Sequence, residues 1–157
     1  MITLKSKFKF LPIILISILS IFPFLTIYIY IISPKQSVVF PLVVFIIVAY
    51  LWFALVRTRM HKVIIEKNNI IVKRYYGLGR SIAYDFSKLD GFITLFESEK
   101  GVDYESIFIL EKGKRIACVS GFYHSNFDNL KLRLKENFTD LGEIKGHDNI
   151  SRFLKNS

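Results

Sequence analysis

The chain has 157 residues, a formal net charge of +9 and a single cysteine, and 52% of its residues are hydrophobic. Beside two long apolar runs, about 100 residues remain, which is enough for one small folded domain and too few for two. A single cysteine excludes an intrachain disulfide bond and a metal cluster held by thiolates.

Two apolar runs dominate the first part of the chain, at residues 10–32 and 37–56. Neither contains a charged side chain, and each is long enough to cross a hydrocarbon layer about 30 Å thick at about 1.5 Å per helical residue. The sequence therefore predicts a transmembrane helical hairpin. A cleavable signal peptide is a poorer interpretation, because the first run exceeds the usual apolar length of about 7–15 residues and a second run follows at once.

Basic side chains cluster beside these two runs. Three lysines precede the first run, and residues 57–80 carry seven basic side chains and one acidic, whereas residues 81–157 carry 11 basic and 12 acidic. Lys and Arg beside membrane segments are retained on the cytoplasmic side. We therefore expect a multi-pass protein of the cytoplasmic (inner) membrane with both termini in the cytoplasm. Nucleic acid is not an expected partner, because the remaining domain has no basic stripe.

Short β-forming segments separated by turns follow the second run, and the sequence predicts six strands in an antiparallel meander. Val63 and Ile65 and, across a two-residue loop at 68–69, Ile70 and Val72 fall on one face, with Ile65 expected opposite Val72. The later strands are expected at residues 81–86, 91–97, 104–111 and 114–120.

One amphipathic helix is predicted after the meander. Ser125 is a suitable N-cap, and apolar side chains recur at helical spacing through residue 137. These side chains are Phe127, Leu130, Leu134 and Phe138. The helix most simply covers the open end of a strongly curved sheet, which cannot bury both of its faces alone.

The expected fold class is therefore a membrane α-helical hairpin followed by an α+β domain. In that domain an antiparallel β meander, closed as a barrel or open as a curved sheet, is capped by one C-terminal helix. Residues 1–59 form the basic N-terminal segment and the two transmembrane helices, residues 60–141 the cytoplasmic domain, and residues 142–157 a C-terminal tail.

A second line of inference starts from residues 116–138, in which Gly121-Phe122-Tyr123-His124-Ser125-Asn126-Phe127 joins the last predicted strand to the helix. This stretch, with the meander before it and the two-helix anchor, resembles the pleckstrin-homology-like (PH-like) domains of small bacterial membrane proteins. The resemblance covers about residues 62–138. It implies a PH-like barrel or curved sheet, and binding through a strand edge, through the groove beside the last helix, or through a basic loop.

The basic loop of phosphoinositide-binding PH domains lies between their first two strands. The resemblance therefore assigns contact with an anionic lipid head group to Lys67, Lys73 and Arg74. A simpler cause also accounts for these cations, since a basic stretch beside the membrane favours cytoplasmic topology and is attracted to anionic lipid by about 1 kcal/mol per charge. Both explanations stay open.

No group of residues matches a metal or phosphate-loop motif. The stretch Gly77-Leu78-Gly79-Arg80 lacks the Gly-Lys-Ser/Thr ending, and no helix is predicted after it. His61, His124 and His147 are too widely spaced to form a known metal-binding pattern. We therefore expect no metal and no cofactor.

Two candidates for catalysis are weak. Cys118 lies in an apolar stretch and is expected to be a buried structural thiol. The carboxylates between Glu97 and Glu105 flank one turn and have the pattern of a solvated hairpin end. No catalytic residue is predicted, and an enzyme is the least favoured class.

The sequence predicts a membrane-anchored interaction module that presents a small binding domain at the inner membrane surface, most simply as a protein scaffold. Its expected partners are the lipid bilayer and a protein at the cytoplasmic face. The alternative is recognition of anionic lipid head groups by the basic first hairpin, and fold alone does not choose between the two.

Overall fold

The computed structural model describes residues 3–33, 37–99 and 102–145. Within these ranges the chain forms two long helices, two four-stranded sheets and a shorter helix. The helices are α1 (Phe10–Ile32), α2 (Val39–Arg59) and α3 (Phe127–Asn137). The strands are β1 (Leu4–Lys5), β2 (Lys62–Ile65), β3 (Asn69–Lys73), β4 (Ser81–Asp85), β5 (Gly91–Glu99), β6 (Val102–Glu111), β7 (Lys114–Ser120) and β8 (Asp140–Lys145).

The α+β layout expected from the sequence is confirmed. Eight strands occur among the described residues instead of six, and the two additional strands are β1 and β8. Residues 142–145, which the sequence assigns to a tail, belong to β8. The rest of that predicted tail, together with His147, lies outside the described residues.

Helices α1 and α2 pack against each other, and both are long and apolar enough to cross a membrane by length and composition. The indole N–H of Trp52 on α2 donates a hydrogen bond to the hydroxyl of Ser20 on α1 at 3.0 Å. Helix α1 runs unbroken through Pro23. Near its end α2 contains one π-helical turn, Trp52–Val56, which loosens the regular helix where it approaches the sheets.

The segment before α1 is built into the β-structure. Strand β1 pairs antiparallel with β2, so that Leu4 lies opposite Ile65. The side chain of Asn126 also holds this segment. Its oxygen accepts the backbone N–H of Lys7 at 2.8 Å, and its NH₂ group donates to the backbone carbonyl of Lys5 at 2.9 Å. A strand of two residues is too short to show a periodicity, so the sequence does not reveal it.

The first sheet has the strand order β1-β2-β3-β4. Val63, Ile65, Ile70 and Val72 are all buried on one face, as the sequence predicts. The predicted register is wrong, since Ile65 lies opposite Ile70 and not opposite Val72. The face is nevertheless right, because alternation within a strand does not depend on which residue lies opposite.

The loop between β2 and β3 accounts for this register. The N–H of Glu66 donates to the carbonyl of Asn69 at 2.9 Å, so the two-residue loop is 67–68 and not 68–69. Asn68 does not adopt the positive φ that favoured the predicted loop, and its carbonyl instead accepts the N–H of Phe86 at 3.0 Å. The observed position of the turn thus places Asn68 in contact with a residue distant in sequence.

The second sheet has the strand order β7-β6-β5-β8. Strands β5, β6 and β7 are antiparallel neighbours, and β8 returns after α3 to pair parallel with β5. The turn between β6 and β7 has Lys112 at φ 51° and Gly113 at φ 73°, both in the left-handed region that a tight hairpin turn requires.

Helix α3 begins at Phe127 with Asn126 at the N-cap position, and not with Ser125 as the sequence predicts. Neither side chain caps the helix. The N–H of Ser125 donates to the carbonyl of Lys7 at 2.8 Å, and Asn126 holds the same segment. Residues suited to capping therefore serve a long-range contact, and the predicted apolar stripe of α3 packs into the core.

The core lies between the two sheets and is covered by α3, and neither sheet closes on itself among the described residues. Its buried side chains come from β2, β3, β5, β6, β7 and α3. They are Val63, Ile65, Ile70, Val72, Phe92, Ile107, Ile109, Ile116, Ala117, Val119, Phe127, Leu130 and Leu134. A second, smaller cluster of Leu95, Phe108 and Cys118 lies on the other face of the second sheet.

Candidate anion-binding site

A cavity of about 380 Å³ lies where the end of α2 meets the sheets. Its size is within the range of small-ligand pockets, roughly 300–1,000 Å³. Three of its lining residues are arginines from three separate parts of the chain. The described residues that line it are Phe53, Arg57, Thr58, His61, Arg74, Phe108, Arg115 and Ala117.

The three arginines are carried to the cavity by three different elements of the fold. Arg57 lies in the last turn of α2, where a cation is favoured by the negative end of the helix dipole. Arg74 directly follows β3, at the end of the strand nearest to α2. Arg115 is the second residue of β7, beside the irregularity in register at Ile109/Leu110 of β6.

The charge in the cavity is entirely positive. None of its lining residues, all within the described ranges, is acidic. Arg57 and Arg74 form no ion pair within the described part of the chain, whereas nearby Arg59 is paired with Glu97 at 2.6 Å. Within the described residues, an anion beside Arg57 and Arg74 would displace no carboxylate from either guanidinium group.

The Arg115 side chain is partly buried beside an aromatic ring. Its guanidinium lies 5.3 Å from the centroid of the Phe108 ring, close enough for a cation–π contact. Burial lowers the pKa of Arg115, and the positive charge of Arg59 acts in the same direction. A guanidinium nevertheless stays charged at neutral pH. A positive charge held in a partly desolvated place interacts more strongly with an anion than one in water.

His61 lines the cavity but is not available as a ligand. Its Nε2 lies 3.0 Å from the carbonyl of Arg57, and its Nδ1 accepts the N–H of Cys118 at 2.8 Å. This pattern assigns a neutral ring with the proton on Nε2. Burial, and then the charge of Arg74, lower the pKa of His61 to about 4.

His124 makes the same kind of contact two residues further along β7. Its Nδ1 accepts the N–H of Ser120 at 3.1 Å, and its Nε2 lies 3.0 Å from the carbonyl of His61. Burial lowers the pKa of His124 as well. The two rings thus occupy backbone N–H groups of β7 that a neighbouring strand would otherwise occupy, and they hold this edge of the second sheet against the end of α2.

The three residues predicted to bind lipid lie at two ends of the first hairpin. Lys67 lies in the β2–β3 loop, and Lys73 and Arg74 lie at the opposite end of that hairpin. Four strand steps at about 3.3 Å separate the two ends of β3 by about 13 Å. Of the three, only Arg74 lines the cavity. Contact of Lys67, Lys73 and Arg74 with an anionic head group stays a prediction.

Of the three cavity arginines, sequence reasoning missed Arg57 and Arg115 as site residues. Arg57 has a weak signal, since it belongs to the basic stretch that was explained by topology. Arg115 has a signal that is recognisable only once the structure is known: its long cationic side chain directly precedes the buried residues 116–119. Neither signal indicates that the two side chains converge.

The weak candidates for catalysis have other roles. Burial raises the pKa of the Cys118 thiol to about 12, and His61 bonds to the backbone of Cys118 and not to its sulfur. Glu97 pairs with Arg59, and Glu105 pairs with Lys131. Among the described residues, no group of three or more His, Cys, Asp or Glu side chains is placed to hold a metal ion.

No protein-family model, no curated protein and no solved structure matches this chain. Its function is therefore argued from the geometry of the cavity and from the chemistry of its arginines.

Proposed function

We propose that this chain is a membrane-anchored PH-like module that binds an anionic group of the phosphate type in the cavity between α2 and the sheets. In this proposal α1 and α2 span the cytoplasmic membrane, both termini lie in the cytoplasm, and the β-structure sits against the inner leaflet. The protein acts by binding and not by catalysis.

The observation that carries the proposal is the convergence of Arg57, Arg74 and Arg115 on one cavity, whose described lining residues include no carboxylate. Guanidinium groups present fixed donors that match phosphate oxygens in a bidentate manner, and charge-assisted hydrogen bonds are about twice as strong as neutral ones. Three like charges held together repel one another. A bound anion would remove that repulsion, which is a reason for the site to favour occupancy.

A lipid head group is the source of phosphate that the location favours. Phe53 lines the cavity from within the apolar length of α2, and its side chain is exposed. In a bilayer that part of α2 lies beside acyl chains, and Arg57, about one helical turn further on, would lie at the level of the head groups. A lipid phosphate could therefore reach the arginines while its chains stay beside Phe53.

The PH-like part of the proposal rests on the two sheets with α3 over one end of the core. The arginine cavity does not use the loop between the first two strands of the meander. The proposal keeps the alternative function that the sequence analysis gave, recognition of anionic lipid. Of the three residues named there, Arg74 is central to the proposed site, and Lys67 and Lys73 are not.

The test is titration calorimetry of the full-length protein in zwitterionic micelles with short-chain phosphatidic acid, and separately with inorganic phosphate. We expect the lipid to bind, and we expect Arg74→Gln and Arg115→Gln each to weaken its affinity about tenfold or more. The matched controls are Arg133→Gln on α3, where Arg133 pairs with Glu136 at 2.8 Å, and Lys67→Gln in the β2–β3 loop. Both controls should bind as the wild type does.

Equal binding of inorganic phosphate would assign the cavity to a soluble anion. Absence of binding to either probe, or equal losses in Arg133→Gln and Arg115→Gln, would reject the site.

Protein scaffolding through a strand edge is a second candidate, and one observation favours a particular edge. Within residues 3–33, 37–99 and 102–145, strand β4 pairs only with β3, and its Ile82 is 44% exposed. The histidine rings occupy the outer edge of β7, so β4 is the more open place for an added strand. A photo-crosslinking residue at Ala83 should then capture one stoichiometric protein in membranes, whereas the same residue at Asn129 on α3 should not.

A further inference from the structure

The turn between β3 and β4 has an unusual backbone. Tyr75, Tyr76 and Gly77 have φ values of 52°, 57° and 95°, so three successive residues lie in the left-handed region. Two of them are not glycine, and such residues persist in this region only where surrounding contacts hold them there. Hydrogen bonds hold this turn, since the carbonyl of Arg74 accepts the N–H groups of both Gly77 and Gly79 at 3.0 Å.

The two tyrosines of the turn attach it to both long helices. The Tyr75 ring stacks near Trp52 of α2, with centroids 6.5 Å apart. The hydroxyl of Tyr76 lies 3.4 Å from the carbonyl of Pro12 in α1, and the backbone N–H of Tyr76 donates to the carbonyl of Met60 at 3.0 Å. The turn is therefore fixed beside the helices, and it is not an independent surface loop.

These contacts set the depth of the turn relative to the helices. Pro12 lies about 3 Å from the start of α1, and Trp52 lies about 10 Å before the end of α2, at about 1.5 Å per residue. The nearest charged residue to the start of α1 is Lys9, and the first charged residue toward the end of α2 is Arg57. The turn thus lies at the level where apolar helix gives way to charge, which in a bilayer is the head-group boundary where Tyr and Trp are enriched.

Leu78 is at the tip of this turn and is 82% exposed, more than Phe10 in the apolar part of α1 at 77%. Its neighbours on either side are Gly77 and Gly79, and the first charged side chains along the chain in each direction are Arg74 and Arg80. An apolar tip between cations is suited to a surface with an anionic head-group layer over an apolar interior.

We infer that the turn between β3 and β4 inserts Leu78 into the head-group boundary of the bilayer. This insertion is a third contact with the membrane, in addition to α1 and α2. This inference rests on the proposed function only in that α1 and α2 span the bilayer; it does not require an anion in the cavity. Because the turn is hydrogen-bonded to the Arg74 carbonyl, insertion also holds Arg74 at the leaflet surface.

The test measures the depth of spin labels on the full-length protein in nanodiscs made of phosphatidylcholine and phosphatidylglycerol. Single labels are placed at Leu78→Cys, at Ile46→Cys in the middle of α2 and at Leu132→Cys on the exposed face of α3. The native Cys118 is fully buried and does not compete for label. Leu132 is 61% exposed, so it is a matched control for an exposed leucine away from the helices.

The readout is collision with oxygen, which concentrates in the bilayer, against collision with a water-soluble nickel complex. We expect the label at 78 to be protected from nickel several-fold relative to the label at 132, and to be less protected than the label at 46 in the middle of α2. If the label at 46 is protected and the label at 78 is as accessible as that at 132, the inference is wrong and the spanning hairpin stands. If all three labels are accessible, both the hairpin proposal and this inference fail.

Discussion

At the scale of single residues, His61 and His124 join parts of the chain that are far apart in sequence. Their Nδ1 atoms accept N–H groups of β7, and their Nε2 atoms lie at hydrogen-bond distance from backbone carbonyls. Each ring can do this only while it is neutral, because a protonated Nδ1 is a donor and not an acceptor. The protonation state of the two rings is therefore linked to the stability of this junction.

The pKa of His61 is lowered to about 4, from an ordinary value of 6.5. Between these two values the unfolded chain binds a proton at this ring and the folded chain does not. The free energy of unfolding should therefore be unaffected by this group above pH 6.5 and should fall by on the order of 3 kcal/mol as the pH drops to about 4. Urea unfolding of the protein in micelles at about pH 7 and about pH 5 measures the loss.

The variant His61→Gln keeps an acceptor and a donor but removes the titration. It should lose less stability on acidification than the wild type does. An identical loss in both proteins would mean that the acid sensitivity comes from other groups.

At the scale of elements, the side chain of Asn126 contributes two of the hydrogen bonds that hold the N-terminal segment. Asn126 makes hydrogen bonds to Lys5 and Lys7, and Ser6 adds a reciprocal pair with Val63 at 2.8 and 2.9 Å. Asn126→Ala should lower the free energy of unfolding by about 1–3 kcal/mol, because it leaves the N–H of Lys7 without its partner. Hydrogen exchange should also become faster at the amide of Ser6.

The matched control is Asn129→Ala on α3, where the exposed side chain makes no hydrogen bond in the described part of the chain. This variant should stay within about 0.5 kcal/mol of the wild type. Equal effects of the two substitutions would mean that Asn126 acts through helix propensity and not through the N-terminal segment.

The pairing of β8 with β5 depends on a glycine. Gly91 has φ +143°, and a Cβ built there would lie 2.3 Å from the carbonyl oxygen of Thr139. Gly91→Ala should therefore destabilise the fold by more than the control Gly113→Ala, which has φ +73° and meets nothing within 4 Å. We expect about 1 kcal/mol for the control and several for Gly91→Ala, measured by urea unfolding. Equal losses would show that the backbone at 91 moves away from Thr139 without cost.

At the scale of the whole molecule, the proposed hairpin and the sheets form one connected unit. Arg59 at the end of α2 pairs with Glu97 of β5, and Lys9 before α1 donates to the carbonyl of Gly121 at 2.6 Å. Both helix ends that adjoin the sheets are therefore held directly. In the proposed membrane setting, the cavity cannot move away from the leaflet surface without breaking these contacts.

The proposed orientation places α3 on the cytoplasmic side. A cysteine at Leu132 should be unreactive toward a membrane-impermeant maleimide in intact cells and should react after permeabilisation. The wild-type protein is the control, because its only cysteine is buried with a thiol pKa raised to about 12. Labelling of Leu132→Cys in intact cells would reverse the topology.

The sequence by itself determined the local features of the molecule. It located both apolar helices, the buried face of β2 and β3, and the apolar stripe of α3. Each of these is a local pattern of apolar residues that is visible within a few helical turns or strand residues. Those predictions were confirmed. The PH-like resemblance, the membrane topology and the binding function stay proposals.

Only the tertiary structure decided the register of the first hairpin, the addition of β1 and β8, and the cavity. Arg57, Arg74 and Arg115 are far apart in sequence, and an arginine has the same local pattern whether it lies in solvent or beside a ligand. Their convergence depends on the path of the chain through two sheets, set by contacts such as those of His61 with β7. No periodicity in the sequence encodes a meeting of three separate elements.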